Sequence, residues 1–166
     1  GQSNHSLSFD GENDYVNLGN SGVYGFTDDD FTVTAWIKTS DIMQNASVVS
    51  RCYDAPACWG YGISGNGTLR LRLGNDIYES PTWLSTVNAD EWTHIAISRL
   101  DGSVRGFVNG MQVIEVEYGI WLGGGGLYIG WDQNQNLYYE GKIDEVTIWH
   151  QSFTESELQE IMNTQF

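Results

Sequence analysis

Positive charge is scarce in this sequence. Seven lysine and arginine residues stand against 22 aspartate and glutamate residues, for a net charge of −15. Such a surface repels the phosphates of nucleic acids and the headgroups of anionic lipids, so we expect neither as a partner. It favours divalent cations, whose ligands are carboxylate and carbonyl oxygens. The open alternative is the acidic surface of a secreted, salt-exposed protein with no cation to bind.

The sequence also lacks a long hydrophobic run. No stretch approaches the roughly 20 apolar residues of a transmembrane helix, and the first residues do not resemble a signal peptide. We therefore expect no membrane insertion, and we interpret the chain as a mature domain cut from a longer, multidomain protein. Its 166 residues suit a single domain covering 1–166.

Cysteine is limited to Cys52 and Cys58. The short spacing suits a small disulfide-closed loop, and no histidine or further cysteine lies nearby to complete a zinc site. Two free thiols in a cytosolic protein are the alternative. We expect the disulfide, and with it a secreted, extracellular protein.

Helical periodicity is rare, and period-two alternation of apolar and polar residues dominates instead. In Leu69–Leu73 the leucines alternate with Arg70 and Arg72, so the arginines are predicted to point away from the core. Asn109-Gly110 is a strong signal for a two-residue hairpin. The other predicted strands are 31–38, 92–98, 104–108, 111–116, 127–130 and 142–149. Many short strands separated by turn residues are typical of a sandwich or barrel.

One helix is predicted, at the C-terminus. Thr154-Glu-Ser-Glu157 is a capping box, in which the first and last side chains each bond the other's backbone amide. Leu158, Ile161 and Met162 then share one stripe. The predicted fold class is all-β, with two antiparallel sheets and a short C-terminal helix.

Seven short motifs follow one another along the chain. They are Leu7–Val16, Phe31–Ile37, Val49–Arg51, Trp92–Ala96, Phe107–Gly110, Gly141–Val146 and Phe153–Leu158. Their content and order resemble laminin-G-like, concanavalin-A-like lectin/glucanase domains, with Phe153 where that family usually has leucine. The resemblance implies a jelly-roll sandwich in which one sheet has a concave face. It does not define a function, because one fold serves many.

The resemblance also implies a structural calcium ion. The implied ligands are Asp144 on the last strand and, in the opening turn, Asp10, the Gly11 carbonyl, Asn13 and Asp14. Calcium prefers such a mixture of carboxylate and carbonyl oxygens. The ion would clasp the first strand to the last. The alternative is that the turn and Asp144 make only local hydrogen bonds.

Three segments have the composition of a glycan-binding site. They are the cysteine-closed loop with Tyr53, Asp54, Trp59 and Tyr61, the pair Arg70 and Arg72, and the polar loop with Trp131, Asp132, Gln133 and Gln135. Sugars present apolar faces and hydroxyl groups, so an exposed aromatic ring flanked by polar side chains suits them. Arginine pairs also suit carboxylated or sulfated sugars. A plain solvent-facing strand is the alternative for the two arginines.

Catalysis is not predicted. Glycoside hydrolases of the resembling fold carry alternating carboxylates on one strand, and Glu115 and Glu117 share a face, but the third position is Ile120. We expect a non-catalytic, lectin-like module that targets a larger secreted enzyme or adhesin to an extracellular polysaccharide. A protein-binding or structural adhesion domain is the alternative, and a small polysaccharide-cleaving enzyme is the third interpretation.

Overall fold

The computed structural model describes residues 5–24, 29–52, 57–119 and 124–165. Its elements are, in chain order, β1 Leu7–Asp10, β2 Val16–Asn17, β3 Phe31–Lys38, β4 Ala46–Cys52, β5 Trp59–Ser64, β6 Thr68–Leu73, β7 Asp76–Glu79, β8 Thr93–Leu100, β9 Ser103–Val108, β10 Met111–Glu117, β11 Gly126–Ile129, β12 Trp131–Asp132, β13 Leu137–Tyr138, β14 Glu140–Trp149 and the helix α1 Glu155–Gln165. Short 3-10 turns lie at Gly22–Tyr24 and Gly65–Gly67. The predicted strands are all found, with bounds shifted by a residue or two.

Two antiparallel sheets form the predicted jelly-roll sandwich. In the described part of the chain the first sheet has the order β1-β14-β3-β8-β9-β10, and the second has the order β2-β11-β4-β5-β6-β7. The chain crosses between the sheets several times, from β1 to β2 and from β3 to β4, for example. The first and last strands, β1 and β14, are neighbours in one sheet.

The core lies between the two sheets. Phe31 of β3 and Trp59 of β5 meet across it, with ring centroids 5.4 Å apart. Gly106 of β9 lies where the sheets are closely packed, since a Cβ at this position would lie 2.5 Å from Leu69 Cδ2 of β6. A larger side chain there would overpack the core and push the sheets apart.

The predicted hairpin at Asn109-Gly110 connects β9 to β10. Both residues have positive φ, 50° and 73°. That is the geometry of a type I′ turn, whose twist matches the two strands. Val108 and Met111 form the pair that closes the hairpin.

Helix α1 packs on the outer face of the first sheet. Glu157 Oε2 accepts a hydrogen bond from Thr154 N at 2.7 Å, and Thr154 Oγ1 accepts one from Glu157 N at 3.4 Å, which confirms the capping box. Leu158 is buried against Ala96 and Phe107, two side chains of that face. No helix among the described residues has the length and hydrophobicity of a membrane span.

A small hairpin, formed by β12 and β13, lies over the outer face of the second sheet. The Ser50 hydroxyl of β4 donates to the Trp131 carbonyl at 2.6 Å. At its base, Tyr139 N donates to the Gly130 carbonyl at 3.0 Å. We call residues 131–138 the covering hairpin.

Candidate functional site

The cysteine-closed loop is formed as predicted. Cys52 at the end of β4 and Cys58 just before β5 are joined by a disulfide. Tyr53 and Asp54, two of the predicted ligand-binding residues, lie within this loop and outside the described residues. The loop is therefore confirmed as a covalent closure, and the part played by those two side chains stays a prediction.

Trp59 and Tyr61 belong to the core instead of the surface. They are 1% and 2% exposed. Strand β5 pairs them with Leu73 and Leu71 of β6, whose side chains face the core, so the two rings face it as well. Burial raises the pKa of the Tyr61 hydroxyl well above its ordinary value. The prediction that these rings offer an exposed surface for a sugar is wrong.

Arg70 and Arg72 lie on the outer face of the second sheet, but the covering hairpin buries them. Arg72 Nη1 donates to both carboxylate oxygens of Asp132, at 2.8 and 2.9 Å, and Arg72 Nε donates to the Gly74 carbonyl at 3.0 Å. Arg70 Nη2 donates to Gln135 Oε1. The two residues are 9% and 3% exposed. The alternative prediction of a solvent-facing strand is therefore wrong as well.

Burial also changes the electrostatics at Arg70. It lowers the pKa of the guanidinium, and the nearby charges of Asp132 and Glu79 oppose that shift. The predicted proximity of the arginines to the polar loop is thus found. The prediction that the guanidinium groups face a ligand is not met, because they donate to Asp132 and Gln135 of the loop instead.

Besides pairing with Arg72, Asp132 stabilises the turn of the covering hairpin. Its Oδ1 accepts backbone hydrogen bonds from Asn134 N at 3.0 Å and Gln135 N at 3.2 Å, in a local turn of the kind that aspartate favours. The side chain is 1% exposed. Gln133, at the tip of the hairpin, is exposed. Of the four predicted residues in this loop, Asp132 and Gln135 serve the fold, and Gln133 and Trp131 reach the surface.

Trp131 belongs to a group of four aromatic side chains beside the covering hairpin. Tyr15 follows the opening turn, Tyr128 comes from β11, and Tyr138 comes from β13. The Trp131 ring centroid lies 4.7 Å from Tyr15, 5.0 Å from Tyr128 and 5.6 Å from Tyr138. The Trp131 and Tyr138 planes are nearly parallel, 15° apart. We call these four residues the surface aromatic cluster.

The surface aromatic cluster is accessible to solvent. Tyr15 is 46% exposed, and the other three rings are partly buried. Trp131 was predicted from the sequence, whereas the three tyrosines were not. Tyr128 could have been found, because it alternates with the buried Leu127 and Ile129 and must point outward. Tyr15 could not, since its position depends on the pairing of β2 with β11.

An open groove adjoins the surface aromatic cluster. It has a volume of about 410 Å³ and is lined by Gly11, Glu12, Gln44, Asn45, Asn136, Leu137, Tyr138 and Glu140. Tyr138 belongs to both features, so ring faces and groove form one continuous surface. We call it the polar groove.

The polar groove offers several uncommitted polar groups. Gln44 is occupied, because it donates to the Glu140 carbonyl at 2.9 Å and accepts from Glu140 N at 2.8 Å. Asn45 Oδ1 accepts from Ser64 Oγ at 2.9 Å. Among the described residues, no hydrogen bond or ion pair engages the Asn45 amide nitrogen, the Asn136 side chain or the carboxylates of Glu12 and Glu140. Both glutamates are exposed.

The implied calcium clasp does not fit the register of the sheet. Asp10 on β1 lies opposite Glu140 on β14, while Asp144 lies four residues further along β14. At the rise of a β-strand this separates Asp10 from Asp144 by about 13 Å. Within the described residues, no group of three or more acidic, histidine or cysteine side chains is placed to hold a metal ion. The prediction that residues 10–14 and Asp144 converge is wrong.

The opening turn uses its oxygens locally. Asp10 Oδ1 accepts from Glu12 N at 2.8 Å and from Asn13 N at 3.1 Å, and Asp14 Oδ2 accepts from Asp10 N at 3.1 Å. The backbone hydrogen bonds from Glu12 and Asn13 lower the pKa of the Asp10 carboxyl. Gly11 has φ of +78°, which the tight turn requires. Asp144 Oδ1 similarly accepts from Glu145 N at 2.9 Å. These contacts agree with the alternative to the calcium site, in which the opening turn and Asp144 make local hydrogen bonds.

Glu115 and Glu117, the two carboxylates considered as catalytic candidates, do not line the polar groove. Glu115 and Glu117 are on β10, an edge strand of the first sheet, and both are exposed. Glu115 Oε1 accepts from Ser103 Oγ at 3.0 Å and Glu115 Oε2 from Gln112 Nε2 at 3.2 Å. These contacts are those of a solvated strand edge.

The two-sheet architecture and the motif order define a lectin-like β-sandwich. Residues 10–159 match a laminin G model of the concanavalin A-like lectin/glucanases superfamily. The chain belongs to this superfamily, which confirms the resemblance described above. No curated protein sequence matches the chain.

Several solved structures share the fold. Domain 4 of AbnA, a GH43 extracellular arabinanase from Geobacillus stearothermophilus, solved in complex with arabinotriose, superposes with a TM-score of 0.72 at 19% identity, over 94% of this chain and 75% of that one. The binding domain of Paraclostridial Mosquitocidal Protein 1 gives a TM-score of 0.75 at 16% identity, over 96% of this chain and 43% of that one. The heptameric SAP-like pentraxin from Limulus polyphemus gives 0.66 at 17% identity, over 93% and 79%. Identities this low establish the fold alone, and the chain spans less than half of the mosquitocidal binding domain.

Proposed function

We propose that this domain binds a carbohydrate through the surface aromatic cluster and the polar groove. The observation that carries the proposal is their continuity at Tyr138, which lies in both. Ring faces beside a groove with unpaired amide and carboxylate groups match the two surfaces of a sugar, its apolar C–H face and its hydroxyl groups.

The chemistry of each part is specific. A pyranose or furanose ring can pack on Tyr15, which is 46% exposed and lies against Trp131. Aromatic rings give apolar contact area at little entropic cost. Hydroxyl groups can donate to the carboxylates of Glu12 and Glu140, and such charge-assisted hydrogen bonds are stronger than neutral ones. The amides of Asn45 and Asn136 supply donors for hydroxyl oxygens.

The proposed activity is binding, with no catalysis. Glycosidases keep their general acid protonated by burying it in apolar surroundings. Glu12 and Glu140 are both exposed, which suits hydrogen-bond acceptors. The likeness to domain 4 of an arabinanase, one module of an enzyme, supports a non-catalytic targeting role.

We place the domain outside the cell, as one part of a longer secreted enzyme or adhesin. The disulfide between Cys52 and Cys58 supports an oxidising compartment. The extracellular arabinanase of similar fold supports the same location. Partial coverage of the mosquitocidal binding domain supports a larger parent chain.

A polysaccharide array tests the proposed function. The purified domain, labelled at its N-terminus, is applied to immobilised arabinan, xylan, β-glucans, mannan, galactan and host-type glycans, and the same polymers are assayed for released reducing ends. We expect binding to at least one polymer and no release. Retention of none of them would refute the proposal and leave the protein-binding alternative. Release of reducing ends would establish the enzyme interpretation instead.

A further inference from the structure

We propose that the ligand of this surface is a neutral glycan and that carboxylated or sulfated polysaccharides are rejected. This inference rests on the proposed function and adds the charge class of the ligand. It follows from where the structure places the positive and negative side chains around the polar groove.

The two arginines nearest the covering hairpin are withdrawn from any ligand. Arg72 donates from Nη1 to Asp132 and from Nε to the Gly74 carbonyl, and Arg70 donates from Nη2 to Gln135. A guanidinium that recognises an anionic sugar must present its donors to solvent in a free fork. Both arginines are buried, at 9% and 3% exposure, so this source of anion recognition is absent.

The polar groove itself is lined by negative and neutral side chains only. Glu12 and Glu140 are its charged residues, and the rest of the lining is amide, aromatic or apolar. Lys38 and Lys142 line a second groove of about 270 Å³, which shares Glu140 with the polar groove. An anionic group bound among the polar groove's side chains would therefore meet two unpaired carboxylates before it met a cation.

The same carboxylates favour hydroxyl-rich neutral ligands. Each oxygen can accept from a sugar hydroxyl, and a carboxylate can take two hydroxyl donors at once. A carboxylate or sulfate on the ligand offers no donor and adds like-charge repulsion. Specificity for neutral glycans thus comes from attraction and from repulsion together.

The test separates the charge of the groove from the net charge of the protein. The double variant Glu12→Gln/Glu140→Gln removes two negative charges from the polar groove. Its matched control, Glu115→Gln/Glu117→Gln, removes two from the β10 edge, outside that groove. Dissociation constants are measured by affinity electrophoresis on neutral arabinan and xylan and on anionic polygalacturonate and chondroitin sulfate, at low and at high salt.

We expect the wild type and the control to bind a neutral polymer and to be retarded little by either anionic polymer. The groove variant should bind the anionic polymers about two- to fivefold more tightly per removed charge at low salt, and this gain should fade at high salt. It should also lose affinity for the neutral polymer.

Tighter binding of an anionic polymer than of any neutral one by the wild type would overturn the charge inference while leaving the proposed function intact. An equal gain in the control variant would also overturn it, because net charge alone would then explain the effect. Binding of no polymer at all would refute the proposed function, and the inference with it.

Discussion

Replacing Arg72 with methionine removes the cation from the buried ion pair that holds the covering hairpin on the second sheet. The Arg72 and Asp132 side chains are 4% and 1% exposed, and two donor–acceptor contacts under 3 Å join them. The substitution leaves the Asp132 carboxylate buried with only its backbone hydrogen bonds from Asn134 and Gln135. Breaking a buried pair from one side typically costs about 3–5 kcal/mol.

We expect the Arg72→Met variant to fall near the lower end of that range, about 3 kcal/mol, because the two backbone donors still compensate Asp132 in part. In a domain of this length that corresponds to a loss of roughly 6–12 °C in melting temperature. Asp132→Asn keeps an acceptor for the turn but leaves the buried Arg72 guanidinium without its carboxylate partner. We expect a similar loss of stability. The double variant should cost clearly less than the sum, with a coupling of about 2 kcal/mol or more.

Urea unfolding followed by tryptophan fluorescence and by circular dichroism measures these values, provided the two probes give coincident transitions. Arg72→Lys is the conservative control, and it should lose less than Arg72→Met because a charge remains. Single variants that each cost less than about 1 kcal/mol and add in the double variant would show a pair that behaves as if solvent-exposed. That result would refute the buried anchoring described here.

Two further predictions concern pH and metal ions. His94 is buried against Trp36, with ring centroids 5.3 Å apart, and burial lowers its pKa to about 4. The unfolded chain therefore binds a proton at higher pH than the folded chain does. As a result, the free energy of unfolding should fall by up to about 3 kcal/mol as the pH drops from about 6.5 toward 4. His94→Phe should flatten that part of the pH–stability curve, and an unchanged slope would show that other groups cause it. Because Asp10 lies opposite Glu140 and away from Asp144, Asp10→Ala and Asp144→Ala should lower the melting temperature additively, equally with EDTA and with calcium. A strong calcium dependence lost in both single variants would restore the clasp.

Local patterns in the sequence were enough to predict the strands, the hairpin and the helix cap. Leu69–Leu73 alternates without interruption, and Asn109-Gly110 supplies the two positive φ angles of its turn. The capping box at Thr154 needs only residues three apart. Features of this kind depend on neighbours in sequence, so the sequence contains the information for them.

The wrong predictions concern features that depend on strand register and on contacts between residues distant in sequence. Alternation places Arg70 and Arg72 on the outer face but says nothing about a hairpin sixty residues later that covers them. Trp59 and Tyr61 were assigned to the surface because of their position beside the cysteine loop. Their alternation with Gly60 and Gly62, together with Ile63, already indicated a single buried face. The residues of the implied calcium clasp do not converge, because strand pairing, which the motifs do not define, puts Glu140 opposite Asp10.

The most direct test of the proposed binding surface compares two tryptophans. Trp131 lies in the surface aromatic cluster, whereas Trp83 is a turn residue with 83% exposure. Trp131 contacts the other three rings of the cluster, and truncating a central tryptophan of a binding surface typically costs about 2 kcal/mol or more. On a polysaccharide that the wild type binds, Trp131→Ala should therefore raise the dissociation constant about tenfold or more. Trp83→Ala should leave the dissociation constant unchanged, with both variants folded by circular dichroism. Loss of binding in Trp83→Ala with full binding in Trp131→Ala would contradict the account.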